Sequence, residues 1–315
     1  MTGAGSALAT ARHLVRRGGE SHFAVPDEHA AHSTGFRRWS VVDESTPAVH
    51  TGFSIAALDG GGSVATHVHS FEESLYVLEG EPELRTADGA FRLRPGDYGF
   101  VPVGAPHSWR APRHAGGRWV EMIAPQARAA HAYDTYAIGG GDGGAGVAVD
   151  VRDPRIRSFG HIEASNMDVR LQTQEHLAVS ASMRTALLVY SGITVKMMVD
   201  RDLGAQLLTM FMVQYEPDGK AGAHDHPFEE TYLILDGSVD ASFDGQRYGM
   251  MAGDVAFAGV GCVHSFSNSA NQPVRWLETQ APQPPARYSY RFARDWDYLQ
   301  SQIPSPRVGE GQGGG

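Results

Sequence analysis

The chain carries one pattern twice. His67-Val68-His69, Glu73 and His107 recur 157 residues later as His224-Asp225-His226, Glu230 and His264. Side chains two apart on a strand face the same way. Each His-x-His pair therefore presents both imidazoles to one side. The Glu, four residues on, reaches that side across the start of the next strand, and the last His arrives from a distant strand. A metal centre needs several lone-pair donors converging on one point. Two complete four-donor sets at one offset rarely arise by chance, so the chain is expected to use one structural unit twice.

The repeat runs well beyond the donors. Phe71-Glu72-Glu73 matches Phe228-Glu229-Glu230, Gly80 matches Gly237, and Gly96-Asp97 matches Gly253-Asp254. Arg118-Trp119-x-Glu121 with Ala124-Pro125-Gln126 matches Arg275-Trp276-x-Glu278 with Ala281-Pro282-Gln283. Residues 66–126 align onto 223–283 without a gap, and Val42-Asp43 upstream matches Val199-Asp200. Loops accept insertions readily, so an ungapped match of this length implies a conserved three-dimensional unit.

Short apolar runs ending in Gly, Asp or Pro predict an all-β fold. Leu75-Tyr76-Val77-Leu78 runs into the turn Glu79-Gly80. Phe91-Arg92-Leu93 alternates and then turns at Pro95-Gly96-Asp97, and Tyr98 to Val101 is a further strand. In the second unit Leu207 to Tyr215, Tyr232 to Leu235 and Val255 to Ala258 read as strands. Strands at this spacing fit a sandwich or a closed barrel. The glycines from Gly139 to Gly144 predict a flexible linker, and the polar stretch from His161 to Ser182 is expected to cross irregularly toward the first unit. The first ten residues and the tail after Pro304 are expected to be disordered.

Composition narrows the function classes. The 315 residues suffice for two ordinary domains. A net charge of -10 argues against a nucleic-acid partner, which needs a concentrated basic face. The single cysteine, Cys262, allows no intrachain disulfide and fits a reducing, cytoplasmic setting. No signal-peptide core and no membrane-spanning run is read in the sequence. The expected partner is a small-molecule substrate, with self-association into a homo-oligomer left open.

Three neutral imidazoles and one carboxylate leave a divalent ion with a local charge of about +1 and, for a six-coordinate ion, roughly two open positions. That is a reactive arrangement rather than a sealed structural one. The expected cofactor is a divalent transition metal, one per barrel: Fe, Mn or Ni, with Zn and Co also compatible.

These motifs resemble those of the cupin superfamily. Gly61, His67, His69, Glu73 and Gly80 fit its first motif in full. Gly96, Pro102, Gly104 and His107 fit its second, with Ala111 in place of Asn. In the second unit His224, His226, Glu230 and Gly237 fit the first motif, with Gly219 one residue late. Gly253, Gly261, His264 and Asn268 fit the second, with Gly259 replacing Pro. The resemblance covers both halves and implies a bicupin, two antiparallel jelly-roll barrels each holding a metal. The implied layout is an N-terminal extension at 1–30, a first barrel at 31–138, a linker and crossing segment at 139–185, a second barrel at 186–300 and a tail at 301–315.

Oxalate decarboxylases and quercetinase-type dioxygenases of this superfamily use the same three-His, one-Glu set. The layout is also similar to (S)-ureidoglycine aminohydrolases, through Ala11-Arg12-His13-Leu14-Val15 and Leu75 to Gly80. Their set of Glu, His, His and Gln would fall on His224, His226, Glu230 and His264, where three identities differ. The expected function is therefore a metal-dependent enzyme for a small polar organic molecule, leaning to a dioxygenase. The alternatives are an aminohydrolase-like hydrolase and a non-catalytic binding protein.

Around the metal, Cys262 and Gln280 are the candidate catalytic residues, a thiol and an amide placed to contact substrate. They make the second barrel the expected main centre. Phe71 and Phe228 share strand parity with Glu73 and Glu230 and are candidate pocket walls. Glu72 and Glu229 have the opposite parity and read as surface or edge carboxylates. Met210 and Met212 are candidates to line the second cavity, with core packing as the plainer reading. Arg118-Trp119-x-Glu121 and its copy are candidates to orient ligands. His114, His131 and His176 read as solvated or locally hydrogen-bonded.

Overall fold

The computed structural model describes residues 11–139, 146–149, 158–168, 192–284 and 291–292. The predicted glycine linker apart from Gly139, the first ten residues, the tail, His176 and residues 169–182 lie outside them.

The strand Gly52–His69 organises the first barrel. Its first half, Gly52 to Leu58, pairs with Gly117–Ala124, and its second half, Ser63 to His67, pairs with His107–Arg110. An irregularity between Val64 and His67 turns the strand between these two pairings. Gly61 and Gly62 stand just before it, where a side chain would be costly: a Cβ on Gly62 would meet Thr34 O at 2.7 Å. The result is one curled sheet of eleven strands.

The second unit makes the same path in two pieces, Thr209–Tyr215 and Lys220–Asp225. The intervening Glu216-Pro217-Asp218-Gly219 breaks the strand. Pro217 has no N–H for a ladder, and Asp218 takes φ +65. Two separate sheets result, of six and five strands. Both halves are all-β, and pairing is antiparallel apart from a two-residue parallel contact between Val147–Ala148 and Phe91-Arg92.

Three buried clusters form. One fills the first barrel around Phe36, Leu75, Trp109 and Trp119, and one fills the second around Phe211, Tyr232, Phe243 and Trp276. The third joins the barrels: Phe53, Ile55, Val120 and Met122 meet Met210, Met212, Leu233 and Leu277. Strand alternation explains the split. Phe211 and Val213 point into the second barrel, so Met210 and Met212 point out of it, onto the first. The two methionines therefore belong to the inter-barrel core and not to the second cavity. Burying each such side chain is worth about 1.5–3 kcal/mol.

Parity also corrects the reading of Glu72 and Glu229. Both face away from their own barrel as expected, but that direction leads to the other barrel and not to solvent. Glu229 is 1 % exposed and accepts the backbone N–H groups of Val49, His50 and Thr51 at 2.6, 2.9 and 3.0 Å. Glu72 accepts those of Gln206 and Leu207 at 2.8 and 2.7 Å. Residues 206 and 207 are the repeat mates of 49 and 50, so the exchange is reciprocal.

The leading segments are exchanged as well. His13–Arg16 pairs with Val255 to Ala258 of the second barrel, and Phe159–His161 pairs with Asp97 to Gly99 of the first. The repeated Gly-Asp anchors both. Asp254 accepts from Arg17 at 2.6 Å and from Gly18 N at 3.0 Å, and Asp97 Oδ1 lies 2.7 Å from His161 Nδ1. Phe159–His161 thus reaches the first barrel just where the polar stretch expected to cross begins; of that stretch residues 161–168 are described. No helix among the described residues is long and apolar enough to cross a membrane.

Candidate metal centres

Each predicted donor set converges inside its barrel. His67 and His107 face each other across paired strands with ring centroids 4.1 Å apart, and His69 lies 4.8 Å from His107. The second set repeats this: His224 to His264 is 4.3 Å and His226 to His264 is 4.9 Å. The donor atoms of His69, Glu73 and His107 lie within 4.8 Å of one another, as do those of His224, His226 and His264.

Local backbone geometry fixes the tautomers. In all six histidines Nδ1 meets a backbone carbonyl two residues away: Ala65, Phe71, Ala105, Gly222, Phe228 and Cys262, at 2.6 to 3.0 Å. A neutral imidazole that donates from Nδ1 keeps its lone pair on Nε2. Burial, reinforced by the neighbouring rings, holds His107 and His224 down to about 3, and burial also lowers His67. Burial alone would raise the Glu73 carboxyl, but His69 at 3.3 Å and the other two rings hold it at about 2.

These donors fit a cation. His107 Nε2 and Glu73 Oε1 are buried with no hydrogen-bond partner. In the second set His226 Nε2 lies 2.7 Å from Glu230 Oε2 while Nδ1 faces the Phe228 carbonyl. Two lone-pair donors at that separation repel unless positive charge lies between them. Phe71 and Phe228 stack flat on His69 and His226 at 4.0 and 3.9 Å, so both aromatic residues wall their sites as expected.

The two centres differ in what else surrounds the carboxylate. In the first barrel, His67, His69 and Glu73 open onto a cavity of about 430 Å³. Arg38 projects into it between Glu28 and Glu121, the latter at 3.5 Å. Glu121 also accepts from Trp119 Nε1 at 3.0 Å and Ser54 Oγ at 3.3 Å. Burial and the nearby Glu73 charge push Glu121 up to about 7, against the opposing pull of Arg38, Trp119 and Ser54. His29 packs edge-on to His67 at 4.9 Å and is held neutral, its pKa lowered to about 2 by burial and then by His67 and Arg38.

In the second barrel the corresponding space holds protein groups. Tyr232 donates its hydroxyl to Glu230 Oε2, and that hydroxyl lies 3.0 Å from His264 Nε2. Gln280 Nε2 donates to Glu230 Oε1 at 2.5 Å, and Gln280 Oε1 accepts from Thr209 at 3.2 Å. The repeat mates of Tyr232 and Gln280 are Leu75 and Ile123, which cannot do this. Gln280 thus reaches the site, as a partner of a ligand.

Cys262 does not join it. Its sulfur clusters with His13 and Asp244, and burial with the Asp244 charge pushes the thiol up to about 12. A thiol so held stays protonated and is a poor nucleophile. Only its carbonyl serves the site, by receiving His264 Nδ1.

The sequence reading missed His29 and Arg38. Neither has a described repeat counterpart of its own type, since Val195 stands at the mate of Arg38. The available signal was a buried-parity arginine between Phe36 and Trp39 on an otherwise apolar strand.

The cupin domain family matches residues 54–123 and 211–279. The chain is a bicupin. Its fold is similar to that of the Lactobacillus farciminis oxalate decarboxylase formate complex, with TM-score 0.59 and 16% sequence identity over 93% of this chain and 90% of that one. It is equally similar to a Bacillus subtilis oxalate decarboxylase described with Mn(II) centres, with TM-score 0.59 and 14% identity over 93% and 84%. At these identities the likeness is one of fold. A comparison with curated protein sequences returns no significant match.

Proposed function

We propose that this bicupin is a metal-dependent enzyme that works in its first barrel, as a dioxygenase on a small aromatic or enol-type molecule. The observation that carries the reading is the cavity of about 430 Å³ in contact with His67, His69 and Glu73. Its size falls in the range of small-molecule sites, about 300–1,000 Å³. A transition metal held by His67, His69, Glu73 and His107 would supply open coordination positions and one-electron chemistry toward oxygen.

The remaining roles fall to the chain. Glu121, buried and facing the cavity beside Glu73, is placed to take a proton from an enol or phenol. The Arg38 guanidinium holds Glu121 as the carboxylate that accepts this proton. Phe71, Phe36 and Trp109 supply an apolar wall for a flat molecule. This reading moves the main centre from the second barrel, where it was expected, to the first. In the second barrel Tyr232 and Gln280 engage both oxygens of Glu230.

An oxygen electrode screen of the metal-loaded protein against phenols, catechols and 1,3-diketones tests the proposal. Substrate-dependent oxygen uptake supports it. A second reading, decarboxylation of a small carboxylic acid, has Arg38 in its favour as a carboxylate anchor. It is the weaker of the two, because Arg38 is already engaged by Glu28 and Glu121. Carbon dioxide release without net oxygen uptake would select it, and ammonia release from a ureide would select the hydrolytic alternative.

A further inference from the structure

A second cavity, of about 470 Å³, lies where the two barrels meet and shares no lining residue with the first. Strand alternation separates them. Arg38 and Ser54 face the interior of the first barrel, so Trp39 and Ile55 face outward and floor this cleft. The cleft lies on the internal symmetry relating the repeats. Leu78 and Leu235 both line it, and so do Arg118 and Arg275, each pair 157 residues apart.

The two arginines are the repeated Arg-Trp-x-Glu motif, whose Trp and Glu are used inside each barrel while the Arg is turned outward. Arg118 pairs with Glu79 at 3.2 Å, an exposed contact of little strength. Its Nε is buried and makes no hydrogen bond. Arg275 of the second barrel lines the cleft together with Tyr76 of the first, and no ion pair is seen for it among the described residues. Among the lining residues two guanidinium groups face one carboxylate, Glu79; Asp236, opposite Arg275 in the strand register, lies outside the lining.

We infer that the inter-barrel cleft binds a small dicarboxylate, one carboxylate on each of Arg118 and Arg275 and the methylene chain along the apolar floor. Planar guanidinium groups bind carboxylates through paired N–H donors. Two cationic poles with an apolar surface between them suit an anion with charge at both ends better than a compact one. The site is independent of the metal chemistry proposed above.

Calorimetric titration of the full metal-loaded chain with glutarate tests this, with inorganic phosphate and butyrate as comparisons. One glutarate should bind per chain, more tightly than either comparison. Arg118→Gln and Arg275→Gln should each weaken it about tenfold or more, the scale of a charged hydrogen-bonded contact. Glu79→Gln should tighten it by releasing Arg118. His67→Ala and His264→Ala should leave it unchanged. Circular dichroism of each variant checks that the barrels remain folded. The inference is overturned if glutarate does not bind, if phosphate or butyrate binds as well, or if affinity falls in the histidine variants and not in the arginine ones.

Discussion

The Tyr232 hydroxyl donates to Glu230 in the second barrel, at the position where the first barrel has Leu75. This difference, with Gln280 in place of Ile123, separates two otherwise matching donor sets. In the first, a carboxylate oxygen is left facing a cavity. In the second, both carboxylate oxygens are engaged by the protein, and the phenol lies beside His264 as well.

Tyr232→Phe should therefore act on stability more than on turnover. It removes a hydrogen bond to a buried carboxylate while keeping the ring packed against Phe243 and Phe266. Urea unfolding of the metal-free protein should show a loss of about 1.5–3 kcal/mol. An unchanged midpoint would mean that the phenol contributes nothing to holding Glu230.

Glu229→Ala should be among the most damaging substitutions outside the metal ligands. It strands three backbone N–H groups of the first barrel at the junction. A loss of about 3 kcal/mol or more is expected in urea titration, with Glu72→Ala, which strands two, costing less. Equal and small losses would show that water replaces the carboxylate readily.

Glu121 should impose a pH dependence on the metal-free protein. Its folded pKa, about 7, lies above the usual carboxylate value of 4.5. The folded chain therefore binds this proton more tightly than the unfolded chain, and the contribution weakens as pH rises from about 4.5 to about 7. Relative to the parent, Glu121→Gln should gain stability across that window. The slope of the difference decides the matter, since the substitution also changes contacts with Ser54 and Arg38 by a constant amount.

Chelation should lower the melting temperature without unfolding the barrels. Each has its own buried cluster, unlike a small domain whose fold depends on its ion. Retention of the β-sheet circular dichroism after chelation is expected, and its complete loss would contradict the account. Equilibrium dialysis of the reloaded protein should approach two ions per chain, as two donor sets imply.

Much of this was legible in the sequence because the repeat supplied its own control. The convergence of the eight candidate donors, the wall residues Phe71 and Phe228 and the all-β fold follow from the motif and period-two geometry applied twice. The failures share one cause. Parity showed that Glu72, Glu229, Met210 and Met212 point out of their barrels, but nothing local says that another barrel waits there. Cys262 has the parity of His264, yet it sits in the turn before the strand, where alternation does not apply. Ala186 and Val195 stand where the repeat places the mates of His29 and Arg38, so comparison of the two halves could not flag them.

The central claim is that the first barrel works and the second does not. Turnover of the screened substrate by His67→Ala and His224→Ala, each with its metal content measured, tests it most directly. Losing one ligand from a working centre should reduce the rate by orders of magnitude, because metal-centred stabilisation is worth several kcal/mol. The account predicts that His67→Ala is inactive while His224→Ala keeps most of its turnover. An inactive His224→Ala beside an active His67→Ala would contradict it.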